Sequence, residues 1–317
     1  FSLLILLTLF FSIQVSESLY TIETFNGVTF VKYASEKTLN VLSYEVSATM
    51  WDRNPVTDLP RCYSHLTFKI YSKSAVSNGH LTIMLDGSSA VVDITNLKEG
   101  VNSVHGFTVI SDYEDFGHYH PMKCYLTVKN GLNFMYDYAE FDYWIDLPRR
   151  LDEEVARFYI TPNNPEIKQI ANNIKDWPKW LALVNWVADN IDYPDEDADG
   201  DGKPDYDFIK HGRWEYWQLP TETLSLRTGD CEDFAILLCS LLRASGYDEN
   251  SVYVVLGYTE NEGHAWVRIY AQVGGVGMWF DVEPQVGGLW TIYGGIKNLL
   301  EYDEAFLFND VHFERLK

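Results

Sequence analysis

The stretch TGDCEDFAILLCSLLRASG, residues 228–246, carries a strongly apolar helical pattern. Asp230 is a residue type that favours the N-cap of a helix, and Gly246 suits the C′ position just past its end. Between them, apolar side chains recur at helical spacing, namely Phe234, Leu237, Leu238, Leu241 and Leu242. The pattern predicts a buried helix that has a cysteine, Cys231, in its first turn.

The segments on both sides of this helix predict a mixed α+β layout. Upstream, Pro178 suits the first position of a helix. Apolar residues follow it at helical spacing, at Leu181, Val184, Val187 and Ile191. Downstream, the patterns predict strands over residues 252–257, 264–270 and 278–282. Helices followed by antiparallel strands indicate an α+β domain.

Residues 19–150 predict a separate, β-rich domain. Residues 66–70 alternate between apolar and polar, and Asn130-Gly131 is a strong hairpin signal. Turn clusters at residues 77–79 and 86–88 separate further short strands. We expect an N-terminal β-sandwich of immunoglobulin-like or jelly-roll type, with the topology left open. The boundary at residues 148–150 leaves 151–317 as a second domain, with its core at about 165–290.

An uncharged apolar run occupies residues 3–13 and is followed by small residues at Ser16 and Ser18. The run is shorter than the roughly 20 residues that a membrane-spanning helix needs. Residues 1–18 therefore predict a signal peptide cleaved before Leu19, or an N-terminal anchor that stays attached. Both interpretations predict a secreted or cell-surface protein.

The charge balance restricts the class of partner. The chain has a formal net charge of −22 at pH 7. Nucleic-acid binding needs basic patches that displace counterions from phosphates, so the composition argues against it. Beyond the N-terminal segment, the sequence has no run that is long and apolar enough to cross a membrane.

The four cysteines divide into two pairs along the chain. Cys62 and Cys124 lie in the β-rich half and could form a disulfide in an exported protein. Cys231 and Cys239 lie eight positions apart in one helical pattern. At a rise of about 1.5 Å per residue they would be about 12 Å apart, which is too far for a disulfide. We therefore interpret Cys231 as a free thiol.

Cys231 has the setting of a nucleophile. The first turn of a helix presents unpaired backbone N–H groups and the positive end of the helix dipole, and both stabilise a thiolate. The flanking Asp230, Glu232 and Asp233 act in the opposite direction, because negative charges raise the pKa of a thiol. An opposing cation, such as a protonated His264, is therefore needed.

A histidine and an acidic strand follow the cysteine along the chain. His264 begins the alternating segment HAWVR, residues 264–268, and the segment WFDVEP, residues 279–284, contains Asp281 and Glu283. In this order the residues can serve as nucleophile, general base and orienting acid. These are the three roles that a thiol acyl-transfer enzyme needs.

These motifs resemble the transglutaminase-like superfamily, which has a papain-like core. The resemblance rests on residues 229–233 before the apolar helix, on residues 263–267, and on the tryptophan-containing strand that ends in an acid and a proline. Supporting matches are WVADNIDY at 186–193 and WQLPTETL at 217–224. The resemblance covers about residues 165–290. It implies a papain-like α+β domain in which Cys231 is the nucleophile, His264 is the general base and acid, and a carboxylate orients the imidazole.

Two site residues stay open at this point. The family acid commonly precedes a proline or a small residue, about four positions after the strand tryptophan, which favours Glu283 over Asp281. Alternation places both side chains on one face of the strand, so the pattern does not separate them. By analogy with papain-like enzymes, Gln218 is a candidate donor to the oxyanion that forms during attack on a carbonyl. The alternative is a plain surface glutamine.

An aspartate-rich loop at residues 195–207 predicts a calcium site. The register resembles an EF-hand-like loop, with a glycine at 202 and candidate ligands Asp197, Asp199, Asp201, Asp205 and the main-chain carbonyl of Lys203. The twelfth position is Phe208 rather than a bidentate glutamate, so Asp207 or an outside group would complete the shell. A solvated acidic loop is the alternative. Crowded carboxylates repel each other, which favours a structural Ca²⁺ ion.

The sequence therefore predicts an exported, cysteine-dependent acyl-transfer enzyme. The first hypothesis is a protease or amidase that acts on a protein or peptide substrate through a thioester on Cys231. A protein-crosslinking transglutaminase would use the same residues and differ only in whether an amine or water resolves the thioester. From another class, a non-enzymatic surface or adhesion protein could keep an inactive core of this type.

Overall fold

The computed structural model describes residues 20–25, 28–33, 39–130, 133–200, 202, 205–258, 263–273, 275–287 and 303–316. The chain divides into two compact units. The first contains the described residues up to Met50 together with Tyr63–Ser111 and Asp115–Ile145, and the second contains Trp51–Cys62, Asp112–Glu114 and the chain from Asp146 onward. The expected signal peptide or anchor at 1–18 lies outside the described residues. Within the described ranges, no helix is long and apolar enough to cross a membrane.

The first half of the described chain is built from strands that form three sheets. Strands β1 and β2 pair with each other, β3, β4 and β7 form a sheet in the order β3-β4-β7, and the remaining strands form a sheet in the order β6-β5-β8-β9. The strands are β1 Tyr20–Phe25, β2 Val28–Tyr33, β3 Leu39–Arg53, β4 Pro60–Ser72, β5 Asn78–Leu85, β6 Ser88–Ile94, β7 Gly100–Ser111, β8 His118–Asn130 and β9 Asn133–Ile145.

The sequence predicted turns between two pairs of neighbouring strands in the larger sheet, and the turn residues 131 and 132 lie outside the described residues. Strands β8 and β9 pair antiparallel up to Asn130 and Asn133, which flank the predicted hairpin turn. Strands β5 and β6 are joined by Asp86 and Gly87, whose φ angles of 46° and 79° are both positive. Two positive φ angles define the type I′ turn that suits a two-residue hairpin, and an Asp-Gly pair favours that turn.

Apolar residues from both larger sheets form one buried cluster. The predicted alternation in β4 is confirmed, because Leu66, Phe68 and Ile70 are at most 1% exposed. They share the cluster with residues of β5 and β8, including Leu81, Ile83, Leu126 and Val128. Cys124 belongs to the same cluster. Cys62 and Cys124 are both completely buried, and the disulfide between them stays a prediction.

The second unit combines helices with one antiparallel sheet of order β12-β11-β10-β13-β14. Its helices are α1 Pro165–Asn173, α2 Lys179–Asn190, α3 Tyr206–His211, α4 Pro220–Leu226 and α5 Cys231–Ala244. Its strands are β10 Val252–Tyr258, β11 Gly263–Val273, β12 Val276–Val282, β13 Asp303–Phe308 and β14 Phe313–Arg315. Two short 3₁₀ turns lie at Tyr113–Asp115 and Ala156–Tyr159.

Helix α5 is the central element of this unit, as the sequence predicts. It contacts strands β10 and β11 as well as helices α1, α2 and α4. All five predicted core residues, from Phe234 to Leu242, are buried. The helix ends before Gly246, whose φ of +93° places it in the left-handed region. Because neighbours surround the helix, its apolar sequence is nearly continuous rather than confined to one stripe.

Helix α2 differs in detail from the prediction. Pro178 precedes the helix as its N-cap residue, and the first helical residue is Lys179. Val184 and Val187 are buried as expected, but Leu183 is buried where Leu181 is only partly so.

Candidate active site

A cavity of about 460 Å³ opens beside the start of α5. Its walls come from the first turn of α5, from the segment before α4, and from the adjoining ends of β10 and β11. Cys231 and His264 both line it, so the structure brings the predicted nucleophile and base to one cavity. Its acidic lining residues are Asp207, Glu215, Asp230 and Glu232. The cavity is therefore strongly acidic around the cysteine.

Cys231 is a partly exposed thiol at the first position of α5. Burial raises its pKa well above the usual value, and the charges of Glu232 and Asp230 raise it further. Its Sγ donates a hydrogen bond to Glu232 Oε2 over 3.3 Å, which also favours the thiol. The backbone N–H of Ala265 acts in the opposite direction but does not offset these effects. Burial and the neighbouring carboxylates thus favour a protonated thiol as the resting group.

His264 contacts Glu283 rather than Asp281. The imidazole Nε2 lies 2.9 Å from Glu283 Oε2, and both side chains are mostly buried. His264 lies near the start of β11, and Glu283 directly follows the end of β12, which pairs with β11. A carboxylate at this distance fixes the orientation of the ring.

Asp281 instead forms a two-point ion pair with Arg268. Arg268 Nε and Nη2 lie 2.7 and 2.8 Å from the two oxygens of Asp281. Arg268 also binds Glu304 through Nη1, at 2.9 Å. The reason is the strand register, because Arg268 and Asp281 are directly opposite each other in β11 and β12. Arg268 lies on the same predicted strand face as His264. This arginine was the signal in the sequence that could have identified a partner for Asp281 other than the histidine.

Gln218 lies behind the cavity rather than in its wall. It is completely buried, so the surface-glutamine alternative is wrong. Its side-chain Nε2 donates to Asp233 and to Tyr206 Oη, the latter over 3.1 Å, and its backbone N–H donates to Asp233 Oδ1 over 2.8 Å. In this structure the side-chain amide thus donates to Asp233, which caps α5, and it does not line the cavity. The predicted role of Gln218 as an oxyanion donor stays a prediction, and in this structure the residue holds the start of α5.

The aspartate-rich loop brings three of its predicted ligands together. Carboxylate oxygens of Asp197, Asp199 and Asp205 all lie within 4.8 Å of one another. Asp197 Oδ1 and Oδ2 accept hydrogen bonds from the N–H groups of Gly200 and Gly202, at 2.6 and 2.8 Å. Both glycines have positive φ angles, which allows the tight turn. Asp201 and Lys203, also predicted ligands, lie outside the described residues.

Asp207 belongs to a second carboxylate group, which the sequence did not predict. Oxygens of Asp207, Asp230 and Asp233 lie within 4.8 Å of one another, and Asp207 and Asp230 line the cavity. Burial, and after it the charge of nearby Glu232, raises the pKa of Asp207 to about 8. Asp207 Oδ1 and Asp230 Oδ1 are buried without a hydrogen-bond partner among the described residues. Such oxygens fit a bound cation, so this group is a second place that could hold one.

Only the fold brings the second group together. Asp230 and Asp233 start α5, whereas Asp207 starts α3, more than 20 positions earlier in the chain. The nearest local signal is the pair of acids at the start of α5, which the sequence explains equally well as a capping motif. No spacing rule connects Asp207 to them.

Comparison with known proteins gives one family match and several distant likenesses. The profile of the transglutaminase-like superfamily matches residues 167–284. The UPF0252 protein of Methanocaldococcus jannaschii is 26% identical over 176 residues, which are 53% of this chain and 41% of that protein. The chain therefore matches less than half of that relative's length.

Solved structures of low similarity include LapG of Legionella pneumophila. Calcium-bound LapG has a TM-score of 0.33 and 19% identity, over 52% of this chain and 81% of that chain. A second LapG structure from the same organism has a TM-score of 0.33 and 17% identity, over 53% of this chain and 90% of that chain. The sequence profile shows where this chain is transglutaminase-like, namely in residues 167–284.

Proposed function

We propose that this protein is a cysteine-dependent protease or amidase that cleaves peptide or side-chain amides. The observation that carries the proposal is the contact between His264 Nε2 and Glu283 Oε2 beside the cavity that Cys231 lines. A nucleophile, a base and an acid that orients the base are the groups that thiol acyl transfer requires. The family of residues 167–284 agrees with this class of chemistry.

The proposed reaction begins with attack by Cys231 Sγ on the amide carbonyl carbon, while the thiol proton passes to His264. Because Nε2 contacts Glu283, the proton is exchanged at Nδ1. Glu283 stabilises the imidazolium. The imidazolium then protonates the leaving nitrogen, the C–N bond breaks, and the acyl group stays on Cys231 as a thioester. Water that loses a proton to His264 hydrolyses the thioester and restores the thiol.

The acidic surroundings support general-base attack over a resting thiolate–imidazolium pair. Burial, Glu232 and Asp230 raise the pKa of Cys231, so the thiol is protonated before substrate binds. Deprotonation then occurs together with attack on the carbonyl, when His264 can accept the proton. The Ala265 N–H, which favours the thiolate, would assist at that step.

Alkylation and turnover test this proposal. Iodoacetamide should label Cys231 and leave Cys239, which is completely buried, unlabelled. Replacing His264 by Ala should slow the labelling, and Cys231→Ala should abolish hydrolysis of a peptide-amide library. Equal labelling of Cys231 and Cys239 in the folded protein would contradict an accessible nucleophile at Cys231.

The same thioester could transfer its acyl group to an amine. Offering a tagged primary amine together with glutamine-containing proteins distinguishes the two outcomes, since incorporation of the tag without hydrolysis supports a transglutaminase. If no amide is turned over and Cys231→Ala changes nothing, the core is inactive and a surface or adhesion role remains.

We propose further that Ca²⁺ is a structural ion of the aspartate-rich loop. The grouped oxygens of Asp197, Asp199 and Asp205 support this, because hard oxygen ligands from a short, glycine-containing loop suit calcium. The ion would neutralise crowded carboxylates and stabilise the loop before α3. It has no part in the proposed reaction steps.

We also propose that strands β3–β9 form the expected β-sandwich and that the protein is exported. One apolar cluster shared by strands of the two larger sheets supports a sandwich. Export rests on the apolar run at residues 3–13. N-terminal sequencing of protein recovered from the medium and from the membrane fraction tests it, with a start at Leu19 expected after cleavage.

A further inference from the structure

The outer face of the sheet β6-β5-β8-β9 carries a row of exposed aromatic side chains. Tyr119 and Tyr125 of β8 lie directly opposite Trp144 and Tyr138 of β9. The ring centroids are 4.7 Å apart in the pair Tyr119–Trp144 and 4.9 Å apart in the pair Tyr125–Tyr138. The exposed fractions of these residues run from 39% to 71%.

These rings are not needed for the core of the unit. Alternation in β8 points Met122, Cys124 and Leu126 into the buried cluster, and each is at most 1% exposed. The tyrosines occupy the opposite face of the same strand. Aromatic side chains grouped on a solvent-exposed face leave much apolar surface in water, and such groups mark interaction sites.

Two basic side chains on this face, Lys123 and His80, each lie beside an acidic one. Lys123 Nζ lies 3.8 Å from Glu140 Oε1, between the two aromatic pairs, and His80 Nδ1 lies 2.8 Å from Asp93 Oδ1 on the neighbouring strands. Asp142 of β9, opposite Pro121, is a further exposed acid on the same face. An anionic polymer or an anionic lipid surface needs unpaired basic residues, so this charge pattern favours an uncharged partner.

The spacing suits a long, flat ligand. The two aromatic pairs are six positions apart along β8, which is about 20 Å at roughly 3.4 Å per residue. Sugar rings present a face of C–H groups that packs on the negative face of an aromatic ring. Their hydroxyls can bond to Tyr hydroxyls and to the carboxylate of Glu140. We infer that this face binds an extended, uncharged polysaccharide that lies along β8 and β9. The inference does not depend on the proposed catalytic function.

Co-sedimentation of the purified protein with insoluble cellulose and with insoluble chitin tests the inference. We expect saturable binding to at least one of them. The double variants Tyr125→Ala/Tyr138→Ala and Tyr119→Ala/Trp144→Ala should each weaken binding about tenfold or more, since each removes one stacking pair. The variant Tyr125→Phe/Tyr138→Phe keeps the rings and should bind within a few-fold of the wild type.

Controls separate binding from folding and from other partners. Trp177→Ala removes a tryptophan of the second unit that is 86% exposed, and it should leave binding unchanged. Thermal unfolding shows whether each variant is folded. Failure of the wild-type protein to bind either polysaccharide, or equal binding by folded alanine variants, overturns the inference. It is also overturned if the same variants abolish only self-association or only binding to phosphatidylcholine vesicles.

Discussion

The imidazole Nε2 of His264 lies 2.9 Å from Oε2 of Glu283. Two positions before Glu283, Asp281 is held by Arg268, its direct neighbour across the strands. Both residues carry a carboxylate and both lie at the end of β12, but their partners differ. One carboxylate can act on the base of the proposed reaction, and the other neutralises a partly buried arginine.

Isosteric amides should separate the two acids. Glu283→Gln should reduce kcat about 10²–10⁴-fold with little change in thermal stability, because the imidazolium loses its carboxylate. Asp281→Asn should cost about 1–3 kcal/mol of stability, since Arg268 loses one of two charged partners, while activity per folded molecule is retained. Kinetics and thermal unfolding of both variants check this. A larger kcat loss in Asp281→Asn would reverse the assignment.

Glu232 should control the ionisation of Cys231. Its charge raises the thiol pKa and its carboxylate accepts the S–H hydrogen bond, so Glu232→Gln should lower that pKa. The pH profile of alkylation should then shift to lower pH, with faster labelling at pH 7. The measurement is the iodoacetamide rate from pH 6 to 10 in metal-free buffer, with Cys231→Ala as the blank. An unchanged profile would remove Glu232 from the account.

Two glycines near the cavity should respond differently to the same substitution. A Cβ on Gly257 would lie 2.6 Å from the ring of Trp266 and 2.9 Å from the backbone oxygen of Asp303. Gly257→Ala should therefore cost about 1–3 kcal/mol of stability, since Trp266 is completely buried and has no room to move. Gly263→Ala is the matched control, because its nearest contact would be 4.0 Å away. Equal unfolding temperatures for both variants would contradict the packing around Trp266.

His120 should make the stability of the first unit depend on pH. Its Nδ1 lies 2.6 Å from Asp86 Oδ2 and its Nε2 lies 2.8 Å from the carbonyl oxygen of Asp115, so the protonated ring satisfies both acceptors. Burial lowers its pKa, but the hydrogen bonds to Asp115 and Asp86 outweigh burial and raise it overall.

The raised pKa of His120 in the folded state sets the direction in which stability changes with pH. The stabilisation is fully present below the unfolded pKa of about 6.5 and is lost as the pH rises through the folded pKa. We expect His120→Gln to unfold at a lower temperature than the wild type at pH 5.5, and the difference to shrink by pH 8.5. The effect should be below about 1 kcal/mol because Asp86 is half-exposed. A gap that widens with pH would contradict the charged pair.

Calcium removal should distinguish the two carboxylate groups. If Ca²⁺ binds the aspartate-rich loop, it should raise the unfolding temperature, by an amount equivalent to about 2.7 kcal/mol at a hundredfold excess over Kd. Asp199→Asn should abolish this shift and Asp207→Asn should retain it, because Asp207 lies in the other group. The reverse pattern would place the ion beside Cys231. If neither calcium nor a chelator changes the unfolding temperature, the loop is a solvated turn.

Local patterns were sufficient for several elements of the fold, but not for helices α3 and α4 or strands β13 and β14. The apolar run after Asp230 predicts α5 because helical spacing and end residues act within a few residues of the chain. The Asp86-Gly87 turn is likewise local, since it depends on the φ angles that those two residues allow. Cys231 and His264 could be selected because each lies at the start of an element whose pattern is clear.

The partners of these residues depended on tertiary structure. Strand register assigns Asp281 to Arg268 and leaves Glu283 for His264, and register is set by pairing between strands rather than by either strand alone. Gln218 and Asp207 lie beside acidic residues at the start of α5 because packing brings distant segments of the chain together. The sequence by itself determined the helix, the thiol at its start and the resemblance of about residues 165–290 to the transglutaminase-like superfamily. Only the tertiary structure decided which carboxylate reaches the histidine, because hydrogen bonds and charge pairs depend on distances that chain spacing does not set.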